Sequence, residues 1–207
     1  MDIAVDSVQN KFPAKGFFYI LYKKEVVMNQ IVDLSNFPFF SDISRNRLAQ
    51  IEAFSMVQTY EKGSVVFQSN EAAENLFGLI RGDLNLSIIF KEEIVTKNIK
   101  YEEYISTNVE ILEKPVIIEK IKNYNIFGWS ALVQPQRMTA TAQCETDCEV
   151  VVIPALDLKQ IFSNDPELGY LLSIRISNII SQRLHTRTKH LVDAWCSLFE
   201  TEKISTV

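Results

Sequence analysis

At 207 residues the chain has room for one substantial core, or one core with an appendage. Its 47% apolar and 23% charged residues exclude a disordered chain, and a net charge of −5 excludes a broad phosphate-binding surface, which needs clustered Lys and Arg. Three cysteines, Cys144, Cys148 and Cys196, form neither an even disulfide set nor a CxxC pair, and no apolar run approaches the roughly 20 residues of a membrane span. A reducing cytoplasm is the expected setting.

Near the N-terminus, "KGFFYILYKK" is too short for a signal-peptide core and no small-residue cleavage site follows it. The folded pattern begins at about Met28, so residues 1–30 read as a loosely attached extension. Ser44 then opens a short amphipathic helix with Leu48, Ile51 and Phe54 on one face. After it the period changes. "MVQTY", "SVVFQ", "NLFGLI" and "LNLSIIF" are strand-length runs of Val, Ile, Leu and Phe, divided by turn signals at Lys62-Gly63, Asn70-Glu71 and Arg81-Gly82-Asp83. Strands spaced about ten residues apart predict a sandwich or barrel.

From Lys91 to Pro115 the mixed-charge run "KEEIVTKNIKYEEYISTNVEILEKP" lacks clean alternation and reads as a long surface excursion between two strands, either a solvated insertion or a functional one. "VIIEKI" resumes strand character. The stretch "NIFGWSALVQPQRMTAT" follows, in which a Phe-Gly pair, a small-residue turn and a single arginine are what a helix N-terminus and a guanidinium need to hold an anion. "TATAQ" and "CEVVVIP" then supply two more strands, and the β-rich region, residues 31–163 with the short helix "LDLKQIF", is complete. Asp165-Pro166-Glu167 is a strong helix start, with a cap, a proline in the first turn and an acid beside it. The helix fills residues 164–200, and its Leu168, Leu172, Ile176, Ile179, Leu184, Leu191, Trp195 and Leu198 recur at three-, four- and seven-residue steps. A helix of some thirty residues is about 45 Å long, more than a domain this size covers, so part of its stripe is expected to pair with a second copy of the chain.

Taken in order, "FPFFSDIS", "YEKGSVVFQ" with Gly63, "LFGLIRGDLNL" with Gly82, "NIFGWSAL" with Gly128, "RMTATA" with Arg137 and "CEVVVIP" resemble the cyclic-nucleotide-binding domain shared by catabolite-activator-type regulators, kinase regulatory subunits and gated channels. The resemblance covers residues 31 to about 195. It implies a mainly β double-stranded β-helix, or jelly roll, with flanking helices and a long C-terminal helix, acting as a cytoplasmic sensor. The implied ligand is a cyclic nucleotide or another small anion, held at Gly128, Trp129, Ser130, Ala131, Arg137 and Thr139; the implied partners are a second copy and an effector protein. In the family a glycine lets backbone approach the phosphate, helix N–H groups point at it and an arginine pairs with its oxygens.

Three positions depart from the family's pattern. Its glutamate after Phe-Gly, which accepts from the ribose hydroxyl, is Trp129 here, at a cost of roughly 1 kcal/mol or more for the missing acceptor. Arg137 stands one residue early relative to the Ala-Thr strand, and alternation turns such a residue away from the pocket unless the loop compensates. Asn70 replaces a turn glycine, which asparagine tolerates. Two readings therefore stand for Arg137, loop arginine or anion contact, and two for Trp129, packing residue or stacking platform. A ligand-free interaction scaffold is the alternative to the sensor.

Cys144 and Cys148 have no third ligand close in sequence, His185 and His190 both lie on the long helix, and there is no P-loop, nucleophile elbow or Cys-His pairing. No catalytic or metal residues are expected. The tail "ETEKISTV" is too short for a recognition helix and its partner, so direct DNA binding is not expected either.

Overall fold

The computed structural model describes residues 32–101 and 104–204, so the extension expected over residues 1–30 lies outside the described residues. Single 3-10 turns at Leu34–Asn36 and Pro38–Phe40 lead into α1 (Arg45–Glu52). Asp33 caps the first of them by accepting from the Ser35 amide at 3.0 Å, whereas Ser44 precedes α1 without a side-chain capping bond. Eight strands follow: β1 (Met56–Tyr60), β2 (Val65–Phe67), β3 (Asn75–Arg81), β4 (Leu84–Tyr101), β5 (Tyr104–Ile121), β6 (Ile126–Phe127), β7 (Thr141–Cys144) and β8 (Cys148–Pro154). α2 (Ala155–Asn164) and α3 (Pro166–Ile204) complete the chain. Among the described residues no helix is long and apolar enough to cross a membrane.

The strands form two antiparallel four-stranded sheets, ordered β1-β8-β3-β6 and β2-β7-β4-β5, packed face to face as a jelly roll. The first sheet is buried on both sides. Along β8, Val150 and Val152 point into the roll, while Val151 and Ile153 point outward into a second core with Phe37, Phe40, Leu48, Ile51, Leu158, Leu168 and Leu172. That double burial is why Val150 to Ile153 within "CEVVVIP" are continuously apolar and not alternating. Inside the roll, Phe67, Phe77 and Phe127 pack with centroids 5.3 to 6.0 Å apart.

The stretch from Lys91 to Pro115 is not an irregular excursion: β4 and β5 pair continuously from Leu84↔Ile121 to Tyr101↔Tyr104. Where the side chains of this ribbon are described, at residues 88–92 and 111–117, both faces are exposed, and such a strand pair needs no apolar-polar alternation, which removes the period that marks a strand in sequence. Beside apolar partners such as Ile88 and Val116, two ion pairs cross it among the described residues, Lys91 with Glu113 at 2.7 Å and Lys114 with Glu92 at 2.9 Å. Exposed pairs of this kind contribute about 0 to 1 kcal/mol each.

The base of α3 is tied down. The Asp165 carboxylate accepts from the Leu168 amide at 3.1 Å as N-cap and receives the Arg47 guanidinium of α1 at 2.7 and 3.1 Å. Arg47 also donates to Glu167 at 2.7 Å. From this anchor Leu168, Leu172, Ile176 and Ile179 pack on the roll. Leu184, Leu191 and Trp195 are exposed, so the apolar residues of α3 make two stripes on different faces, not one.

Two expected outcomes follow from these contacts. A Cβ at Gly78 would meet the Phe37 ring and stand 2.8 Å from Val151 Cγ1, so Gly78→Ala should destabilise the domain by roughly 1 to 3 kcal/mol in denaturant unfolding through overpacking. The Asp165 carboxyl is held below the ordinary 3.8, chiefly by the Leu168 amide and then by Arg47, so its contribution is present above that value and lost as pH falls through the lowered one. Asp165→Asn keeps a capping side chain, and its melting temperature should lie below that of the parent near neutral pH and converge with it in acid, as calorimetry at several pH values would record.

Candidate functional site

The turn at residues 128–132 is built by one left-handed residue. Gly128 has φ 72° and ψ 22°, with an added Cβ falling 2.7 Å from the Phe77 ring, so only glycine fits there. Trp129–Leu132 then forms a single 3-10 turn, closed by the Ala131 amide donating to the Gly128 carbonyl at 3.1 Å. Ser130 and Ala131 are buried beneath it, and Trp129 is half-buried against the outer core.

Gln136, at φ 57°, reverses the chain and donates to the Ala131 carbonyl at 3.1 Å. The next residues dock on the β2–β3 connection, where Asn70 is left-handed at φ 70° and donates its amide to the Met138 carbonyl at 2.7 Å. The strand geometry then alternates. Arg137 and Thr139 face outward, while Met138 and Ala140 are each only 4% exposed and project into the roll. The Arg137 guanidinium donates to the Asn70 carbonyl at 2.7 Å on the surface. The loop thus leaves the arginine facing outward, and the thioether of Met138 projects into the roll beside it.

Gly128, Trp129, Ser130 and Thr139 come together around a cavity of about 20 Å³, with Met138 in its wall and Arg183 and Arg187 of α3 across its mouth. Arg137 does not line it and Ala131 sits behind it. Such a volume holds about one water molecule, whereas small-molecule sites run to some 300 to 1,000 Å³. Access for a larger ligand depends on α3.

Arg183 is the residue that sequence reading passes over. Its Nε donates to Glu119 Oε1 on β5 at 3.1 Å with Oε2 at an ion-pair distance of 2.9 Å, and its guanidinium stands 6.0 Å from the centroid of the Trp129 ring. Burial is the largest influence on it and lowers its pKa; Glu119 opposes that shift and the charge of Arg187 adds to it. The arrangement joins cation, carboxylate and indole in one stack, and a partly desolvated cation–π contact contributes about 1 to 2 kcal/mol. The local signal was present: in "SQRLHTR" two arginines four residues apart share a helix face. What it lacked was any sign of which strand they would meet.

The thiols Cys144 and Cys148 are buried, and burial pushes both above the ordinary thiol range, Cys144 furthest. Among the described residues no group of three or more His, Cys, Asp and Glu is placed to hold a metal ion.

The sequence model of the cyclic nucleotide-binding domain matches residues 57–165, more than half of the chain. A cyclic nucleotide-binding domain from Methylobacillus flagellatus superposes with a TM-score of 0.58 at 14% identity, over 78% of this chain and 79% of that one. A protein from Geobacter metallireducens assigned to cyclic-nucleotide binding gives 0.54 at 23% identity over 73% and 95%, and the catabolite activator protein of Thermus thermophilus gives 0.53 at 14% over 74% and 61%. At these identities the structural likeness is one of fold, and no curated protein sequence matches significantly. The roll, the Gly128 turn between β6 and β7 and the match over residues 57–165 together place the chain in the cyclic nucleotide-binding domain family.

Proposed function

We propose that this chain is a cytoplasmic regulatory module that senses a small anionic ligand at the Gly128–Ala131 turn and signals through α3. The observation that carries the reading is that Arg183 and Arg187 of α3 line the same cavity as Gly128, Ser130 and Thr139. In this atypical cassette the cation comes from the moving helix and not from Arg137. An anion entering the turn would draw Arg183 from Glu119 and Trp129, so its binding energy would be coupled to the position of α3, and an effector protein would read that position.

α3 also carries the argument for a homodimer. Tyr170, Ile174, Ser177, Ser181, Leu184, Thr188, Leu191, Trp195 and Leu198 alternate four- and three-residue steps, the seam of a coiled coil, and its large residues from Tyr170 to Trp195 are exposed. At 3.6 residues per turn this seam lies opposite the stripe packed on the roll. A helix of 39 residues, about 58 Å, supports such a seam well beyond the domain.

The second reading, a ligand-free interaction scaffold, is favoured by the inward Met138 and the small cavity. Calorimetric titration separates the two. With cyclic AMP, cyclic GMP and inorganic phosphate as ligands, the sensor predicts saturable heat with one of them, weakened roughly tenfold or more by Arg183→Met and little changed by Arg137→Ala, which removes a surface contact. Absence of heat from all three would leave the scaffold. For the dimer, light scattering at micromolar concentration should give twice the chain mass, and Leu184→Lys with Leu191→Lys should return it to one chain, because buried like charges at a seam oppose pairing.

A further inference from the structure

A second and larger cavity, about 460 Å³, lies outside the roll, between α3, the Pro38–Phe40 turn and the chain from Ile118 to Ile126. Its volume falls within the range of small-molecule sites. Phe39, Ile118, Ile126 and Ile179 supply apolar wall, and three guanidiniums, Arg175, Arg183 and Arg187, line it against one carboxylate, Glu119.

The charges can be counted. Arg183 is paired with Glu119 at 2.9 Å, and Arg175 donates to the Phe39 carbonyl at 2.8 Å with Asp42 at 3.9 Å. Arg187 has no hydrogen-bond or ion-pair partner among the described residues and adds its charge to that at Arg183. One guanidinium, exposed to solvent, is therefore left without a protein counter-charge beside an apolar wall. A ligand complementary to both carries a single negative charge on an apolar body, and the planar fork of arginine matches a carboxylate.

We propose that this groove binds a small amphipathic monocarboxylate, its apolar body against Phe39, Ile118, Ile126 and Ile179 and its carboxylate on Arg187 and Arg183. The exposed seam of α3 lies on the opposite side of the helix, so a second copy paired there leaves the groove open. Because Arg183 also stands over Trp129, a carboxylate in the groove competes with Glu119 for it and alters the environment of the indole. Binding in the groove does not require the sensor reading above, although both draw on Arg183 and Arg187; an effect on the roll's ligand rests on that reading.

Decanoate serves as the probe, with decanol and decyltrimethylammonium as controls of matched chain length. Calorimetry should show saturable binding of decanoate, roughly tenfold or more tighter than decanol, and none of the ammonium. Arg187→Gln, which breaks no pair, should weaken decanoate roughly tenfold, and Asn178→Phe, which narrows the groove without touching the roll cavity, should do the same while leaving any anion binding at the Gly128 turn as in the parent. In a Trp195→Phe background Trp129 is the remaining tryptophan, and its emission should shift on adding decanoate. Equal affinity for acid and alcohol, or parental affinity in either variant, overturns the proposal. So does a halved solution mass for Asn178→Phe, which would mean that a second copy fills the groove. Unchanged Trp129 emission with intact binding overturns the link through Arg183.

Discussion

Burial of one sheet on both faces organises the rest of the molecule. The sheet β1-β8-β3-β6 gives Val150 and Val152 to the inside of the roll and Val151 and Ile153 to the outside. The outer face has to be covered, and the two 3-10 turns, α1, α2 and the first turns of α3 cover it. This sets α2 against the β6–β7 turn, and the Asp165 cap, gripped by Arg47 from α1, sets the direction in which α3 leaves to bring Arg183 and Arg187 to that turn. The second sheet has no such cover. Its β4 and β5 run on into solvent as a ribbon held by backbone pairing and exposed ion pairs.

The direction of α3 makes Arg183 the meeting point of two cavities. On one side lies the small space under the Gly128 turn, on the other the larger groove against Phe39 and Ile126. A guanidinium shared between a carboxylate and an indole in partial burial is held by geometry more than by depth, and an anion arriving on either side competes for it. Under the proposed function, this shared guanidinium is what would couple a ligand to the terminal helix although the β6–β7 loop directs a thioether inward. The exposed seam along the opposite face of α3 is the surface through which the proposed signal would pass on.

Legibility in the sequence tracked how many constraints each residue answered to. β1 and β8 coincide with "MVQTY" and "CEVVVIP" to the residue, because burial and strand propensity agree there. Asn70 was read as tolerating a left-handed turn and has one, and Gly128, singled out by its place after Phe127, proves to be left-handed as well. The ribbon was hidden because strand residues exposed on both faces, as at 88–92 and 111–117, leave nothing for the period of two to record. The stripes of α3 ran together in the sequence because a long helix faces the roll over its first turns and solvent beyond, and residue types alone do not mark the change.

The chain by itself determined the strand runs, the helix order, the Gly128 turn and the displacement of Arg137, which depend on neighbours in sequence or on burial periodicity, while the roll was implied by the resemblance of those motifs taken in order. Only the tertiary structure decided which side chains face the pocket. That Met138 points in and Arg137 out follows from how the loop docks on Asn70 and Glu71, through the Asn70 amide to the Met138 carbonyl and the Met138 amide to the Glu71 carbonyl, bonds between residues nearly seventy apart. That Arg183 meets Glu119 and Trp129 follows from the angle at which α3 leaves Asp165, because two charges four residues apart on a helix carry no information about the strand they will face until the helix is laid against it.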